Sequence, residues 1–376
     1  MGQLQEKYKS YRLPQKYMAE GVYPYFREIT SKQGTEVEMG GHKVLMFGSN
    51  AYTGLTGDQR IIDAGKAALD KYGSGCAGSR FLNGTLDIHV QLEKELAEYI
   101  GKDDALCFST GFFVNSGVIP AVVGRGDYII CDDRDHASIV DGRRLSFATQ
   151  LHYKHNDMED LERVLKNLPE EAIKLIIVDG VFSMEGDLAN LPAIVELKHK
   201  YNCSIMVDEA HGLGVFGKQG RGVCDHFGLT DEVDLIMGTF SKSMASIGGF
   251  IAGCATLVAP ISSVRQTLRL PPLPLLRHFT SFRKSRSALM PFGESHVTHS
   301  VVSRRRALRL VRQRVRLFRF MFTMLRRHSL RQLRLSSMVC LSIRLFRRLA
   351  HRKIRLFVLH SWLPIQKNRW NVAFRF

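Results

Sequence analysis

Three short, largely apolar runs, Leu175–Val178, Ser204–Val207 and Val233–Met237, each stop in a polar turn. This repeat restricts the fold more than any other feature of the chain. Runs of four or five such residues bounded by turn signals suit strands buried on both faces, as in a parallel sheet covered by helices. The segments between such runs fit that scheme. Residues 58–71 carry Ile61, Ile62, Ala64, Ala67 and Leu69 at helical spacing, His89–Ile100 places Leu92, Leu96 and Ile100 on one face, and 190–201 reads as a helix. Further strands are expected at Val44–Phe47, Ala105–Phe108 and Asp127–Cys131. The alternation predicts an α/β fold with a mainly parallel sheet. Ligands of such sheets bind at the carboxyl ends of the strands, so the turns are where chemistry is expected.

The turns carry a consistent set of groups. Val207 leads into Asp208-Glu209-Ala210-His211, and Met237 leads into Gly238-Thr239-Phe240-Ser241-Lys242-Ser243. An acid and a histidine after one strand and a lysine after the next suit a pyridoxal phosphate site. The lysine would hold the cofactor aldehyde as a Schiff base, the acid would pair with the ring nitrogen, and hydroxyls would meet the phosphate. Ser109-Thr110-Gly111-Phe112 opens a helix, whose free N–H groups and dipole suit a phosphate. An ordinary Ser/Thr helix cap has the same signature. Gly73, Gly75, Gly78 and Gly84 surround Arg80, in an anion cradle or a plain loop. A lone histidine such as His136, after the strand at 127–131, is more often structural than catalytic. No metal ligand set stands out.

Six motifs in order resemble the α-oxoamine synthases, a fold-type I pyridoxal phosphate family, over about residues 20–253. They are Tyr72-Gly73-Ser74-Gly75 with Gly78-Ser79-Arg80, Phe108–Gly111, Asp135-His136-Ala137-Ser138, Asp179–Met184, Asp208–His211 and Thr239–Lys242. The likeness is greatest to the bacterial serine palmitoyltransferase branch. It implies that Lys242 holds pyridoxal 5'-phosphate and takes the α-proton of the amino acid, and that Asp208 pairs with the pyridine nitrogen. It further implies that His211 meets the phenolic oxygen, with Ser183 near it, and that His136 stacks on the ring and orients the substrate carboxylate. Gly111 and Phe112 would give N–H groups to the phosphate, Thr239 and Ser241 would add hydroxyls, and Asn50 lies in a segment reaching towards the site. The implied reaction is decarboxylative condensation of L-serine with palmitoyl-CoA to 3-oxosphinganine, in a homodimer whose active site lies at the interface. Another branch, of the 8-amino-7-oxononanoate synthase or glycine C-acetyltransferase type, is the alternative.

The chain changes character near residue 253. Of its 53 Lys and Arg and 36 Asp and Glu, 27 basic residues but only one acid, Glu294, lie in 254–376. The front is therefore net acidic, although the whole is +17. The domains expected are an arm and first strand over 1–55, a cofactor-binding large domain over 56–253, and an Arg-rich tail. The family pattern stops after Gly248-Gly249-Phe250-Ile251-Ala252. Codons chosen for Pro260–Phe282 and read one base out of frame give Tyr-Ile-Phe-Ser-Ala-Ser-Asn-Thr-Pro, the segment the resemblance would place next. This implies a frameshift between about 253 and 260, with a tail expected to be disordered or aggregation-prone, a missing small domain and weak or absent activity. Taken at face value, the tail would instead bind nucleic acid or an anionic membrane by phosphate neutralisation, without sequence specificity. No apolar run is long enough for a membrane span, no secretory signal opens the chain, and the seven cysteines are scattered singly, so a reducing cytoplasm is expected.

Overall fold

The computed structural model describes residues 2–9, 11–23 and 25–264. Of the Arg-rich tail expected from 254, only 254–264 are described; the rest, with the shifted reading beyond 264 and the nucleic-acid alternative, lies outside these residues. The described residues divide into two compact units, before and from Asn50.

The first unit holds helices α1 (Gln3–Lys9) and α2 (Leu13–Ala19) and an antiparallel hairpin, β1 (Glu36–Met39) with β2 (His42–Leu45). The hairpin loop is Gly40-Gly41, both at positive φ (58° and 74°). A two-residue turn of that hand matches the twist of the paired strands and requires glycine. Sequence reading had only the second strand, two residues late.

The second unit is a seven-stranded sheet between helices. Its strands are β3 (Asp104–Phe108), β4 (Tyr128–Asp132), β5 (Thr149–Tyr153), β6 (Lys174–Asp179), β7 (Ser204–Asp208), β8 (Leu235–Thr239) and β9 (Gly249–Gly253). Their order across the sheet is β3-β9-β8-β7-β6-β4-β5. All neighbours are parallel except β9, which runs against both β3 and β8. The helices are α3 (Gln59–Tyr72), α4 (Asp87–Ile100), α5 (Gly111–Val122), α6 (Ala137–Leu145), α7 (Met158–Leu165), α8 (Leu191–Tyr201), α9 (Val223–His226) and α10 (Ala255–Val264).

Successive residues of a strand point to opposite faces, and β6 shows this cleanly. Ile176 and Val178 join a core with Leu92 and Leu96 of α4, Leu161 of α7 and Ile194 of α8. Leu175 and Ile177 join the opposite core, with Val114 and Val118 of α5, Ile139 of α6, and Val258 and Ile261 of α10. Burying one such side chain stabilises the fold by about 1.5–3 kcal/mol. The expected α/β fold with a mainly parallel sheet is therefore observed, with packed chain continuing into α10 beyond residue 253. Helix α5 is apolar on nearly every side because it packs against the sheet, α6 and α10 together.

Candidate active site

Strands β6, β7 and β8 are neighbours, and their carboxyl ends deliver Asp179, Asp208 and Thr239 side by side. Asp208 is only 3% exposed. Its Oδ2 accepts from Asn115 Nδ2 at 2.8 Å and its Oδ1 from the Ala210 N–H at 2.9 Å. Both donors are neutral amides, so the charge is left for a cation to meet. Lys242, three residues beyond β8, faces Asp208 and Asp179, whose charges hold its proton. Burial outweighs them and pulls the ammonium below its ordinary value. Its Nζ lies 2.7 Å from His211 Nε2, and His211 Nδ1 lies 2.7 Å from the Tyr52 hydroxyl.

A second chain of hydrogen bonds runs behind Asp208. The other Asn115 Nδ2 hydrogen goes to Ser138 Oγ at 2.8 Å. Ser138 Oγ in turn lies 2.8 Å from His136 Nδ1, which also accepts the Ser138 backbone N–H at 3.2 Å. Because Nδ1 accepts, the neutral ring of His136 carries its proton on Nε2. The His136 backbone N–H donates to Asp179 Oδ2 at 3.0 Å. Burial, reinforced by Asp208 and Asp135, pushes the Asp179 carboxyl well above its ordinary range.

The N-terminus of α5 meets the end of β8. A Cβ on Gly111 would stand 2.7 Å from Thr239 Oγ1, and one on Gly249 would stand 2.9 Å from Gly111 Cα. Only glycines allow this approach. Thr110 Oγ1 caps the helix by accepting the Phe113 N–H at 3.1 Å. The N–H groups of Gly111 and Phe112, in the first turn, have no acceptor within the helix. Thr239 Oγ1 and Ser241 Oγ lie 3.0 Å apart beside them. Two first-turn amides, two hydroxyls and a helix dipole form an anion cup.

The structure thus brings together Lys242, Asp208 and His211 in one group, with Gly111, Phe112, Thr239 and Ser241 in the adjoining cup. His136 joins Asp208 through Ser138 and Asn115. Asn50 reaches His211 through Tyr52, whose hydroxyl donates to Asn50 Oδ1 at 3.3 Å. Ser183 lies half-buried in the turn after β6 and takes no part in either chain. Arg80 is not open to an anion. Its guanidinium grips Glu93, with Nη2 to Oε2 at 2.8 Å and both side chains largely buried. Asn115 and Tyr52 were given no role by the sequence, and Ser138 and Asp135 stood in a motif without one. Asn115 did leave a signal, as the sole amide in an apolar helix, since a buried polar group needs partners.

These groups fit a phosphorylated pyridine aldehyde. A buried carboxylate is held by neutral donors, an amine is kept below its ordinary pKa, and an anion cup lies alongside. Asn115 Oδ1 and Ser243 Oγ are buried without a protein partner next to these groups.

Comparison with known proteins gives concordant results. The aminotransferase class I and II family model matches residues 42–276. Serine palmitoyltransferase of Bacteroides ovatus is 80% identical over 258 residues, 69% of this chain and 66% of the relative. The chain therefore spans just under two thirds of that curated relative. The 8-amino-7-oxononanoate synthase of Thermosipho melanesiensis is 46% identical over 239 residues, 64% of this chain and 61% of the relative. Among solved structures, serine palmitoyltransferase of S. paucimobilis with a bound PLP–myriocin aldimine superposes with a TM-score of 0.73 at 37% identity. That match covers 76% of this chain and 74% of that one.

Proposed function

The chain belongs to the aminotransferase class I and II family, and from that premise we propose that it is built for pyridoxal phosphate-dependent condensation of L-serine with palmitoyl-CoA. The products are 3-oxosphinganine, CoA and CO2. The observation that carries this reading is the placing of buried Asp208 and of Lys242, within its field, just beyond the ends of adjacent strands. The higher identity to serine palmitoyltransferases than to 8-amino-7-oxononanoate synthases favours serine as the amino acid.

When bound, the cofactor supplies an electron-accepting ring conjugated to the substrate amine. Asp208 keeps a proton on the ring nitrogen. Lys242, whose ammonium burial pulls below its ordinary pKa, would hold the aldehyde carbon and, once neutral, take the proton from the serine α-carbon. His136, as the Nε2–H tautomer, would lie against the cofactor ring and donate to the substrate carboxylate. Gly111, Phe112, Thr239 and Ser241 would hold the phosphate, and His211, with Ser183, would meet the phenolic oxygen. Asn50 lines the substrate side. A homodimer in the cytoplasm is the assembly in which this site works.

Residues 254–376 read best as an out-of-frame product, supported by the loss of acidic residues at 254 and by the shifted reading of 260–282. The test is CoA release from palmitoyl-CoA with serine, glycine or alanine. It is run on the chain as given and on the product of its gene resequenced across codons 245–265. Serine-dependent release, weak in the first and strong in a frame-corrected second, is the expected outcome. Release with alanine or glycine alone would move the chain to another branch.

A further inference from the structure

Lys242, His211, Tyr52 and Asn50 are joined end to end. Lys242 Nζ is 2.7 Å from His211 Nε2, His211 Nδ1 is 2.7 Å from Tyr52 Oη, and Tyr52 Oη is 3.3 Å from Asn50 Oδ1. The two ends differ in exposure: Lys242 is half-buried, whereas Asn50 stands at the surface. The turn carrying Tyr52 is tied to the lysine loop, because the Thr53 hydroxyl donates to the Ser243 carbonyl.

The donors and acceptors fix the polarity of this chain. An ammonium has donors only, so while Lys242 is charged His211 must accept at Nε2. The ring proton then sits on Nδ1 and is donated to Tyr52 Oη, and the Tyr52 proton goes to Asn50 Oδ1. With Lys242 neutral, the opposite polarity forms and the Tyr52 hydroxyl gives up Asn50 Oδ1. Tyr52 donates to Nδ1, and His211 donates from Nε2 to the amine lone pair. The two arrangements differ by one proton. It leaves Lys242 for Nε2, the Nδ1 proton moves to Tyr52 Oη, and the Tyr52 proton passes to solvent at the Asn50 edge.

We propose that His211 and Tyr52 form a proton relay that discharges Lys242 to solvent, with Tyr52 the residue that reverses the histidine's tautomer. This rests on the reading of Lys242 as the group that captures the aldehyde and takes the α-proton, since both tasks need a neutral amine. The relay gives a half-buried lysine a route for the proton it must lose. Asp208 faces it and opposes that loss, as does Asp179 while it is ionised.

The experiment uses the full chain without cofactor or substrate, labelled with 15N in its histidine rings and 13C at lysine Cε. His211 and Lys242 signals are assigned by their loss in His211→Gln and Lys242→Ala. As the pH is raised, the His211 proton is expected to move from Nδ1 to Nε2 over the same range in which Lys242 loses its proton. Lys242→Ala removes that exchange, and Tyr52→Phe uncouples it from the lysine. A His211 ring that keeps one tautomer throughout the wild-type lysine titration overturns the relay, whatever the behaviour of the variants. No turnover is read, so failure of the serine-dependent reaction would leave this result standing on its own.

Discussion

At the scale of single residues, the site depends on polar groups buried where water cannot replace a lost partner. Asn115 is fully buried and gives one hydrogen to Asp208 and the other to Ser138. Among the described residues, Asn115→Ala would leave the Asp208 carboxylate with the Ala210 N–H as its donor. Stranding a buried acceptor in this way costs about 1–3 kcal/mol. The denaturant midpoint of Asn115→Ala is expected to fall accordingly, and an unchanged midpoint would mean that Asp208 finds another donor. Lys242, Asp208 and His211 were legible as the polar turns that close apolar runs, whereas a role for His136 came only with the family resemblance. Sequence reading could not reach Asn115 or Tyr52. Their partners lie 93 and 159 residues away, and only the packed sheet sets those distances.

At the scale of elements, the turn that carries Ser183 is held from outside by the end of β5. His155 bridges two carboxylates, with Nδ1 2.9 Å from Asp132 Oδ1 and Nε2 3.2 Å from Asp187 Oδ2. Asn156 donates to the Leu188 carbonyl at 2.9 Å and accepts the Asn190 N–H at 3.0 Å. Burial lowers the His155 pKa, but the hydrogen bond and charge of Asp132, with Asp187, outweigh it and the net shift is upward from 6.5. A raised folded pKa gives stability that is complete below the unfolded value and lost as the pH rises through the folded one. His155→Gln is therefore expected to be destabilised by about 1–2 kcal/mol below pH 6. The gap from wild type should narrow as the pH climbs above 6.5. A gap that is constant with pH would show that packing of the ring against Phe182, rather than its charge, is what matters. Strand β5, with the pattern Thr-Gln-Leu-His-Tyr, was not legible because an edge strand needs no apolar run. Strand β9 was hidden by its glycines, of which Gly249 admits the α5 N-terminus.

At the scale of the whole molecule, the buried runs dictated the parallel core, and the order of the strands placed three polar turns at one edge. That order is not written in any one run. It emerges because β6, β7 and β8 step across the sheet in sequence while β9 inserts antiparallel between β8 and β3. The expected domain end at 253 came from composition, whereas α10 shows that packing continues through Ile261. The account centres on Lys242 as the residue that receives pyridoxal phosphate. Incubating the full chain with the cofactor, reducing with borohydride and weighing its peptides tests this most directly. A pyridoxyl group on the Lys242 peptide, absent after Asp208→Ala or when phosphate is in large excess, is the predicted result. Label scattered over surface lysines, with Lys242 unmodified, would contradict it.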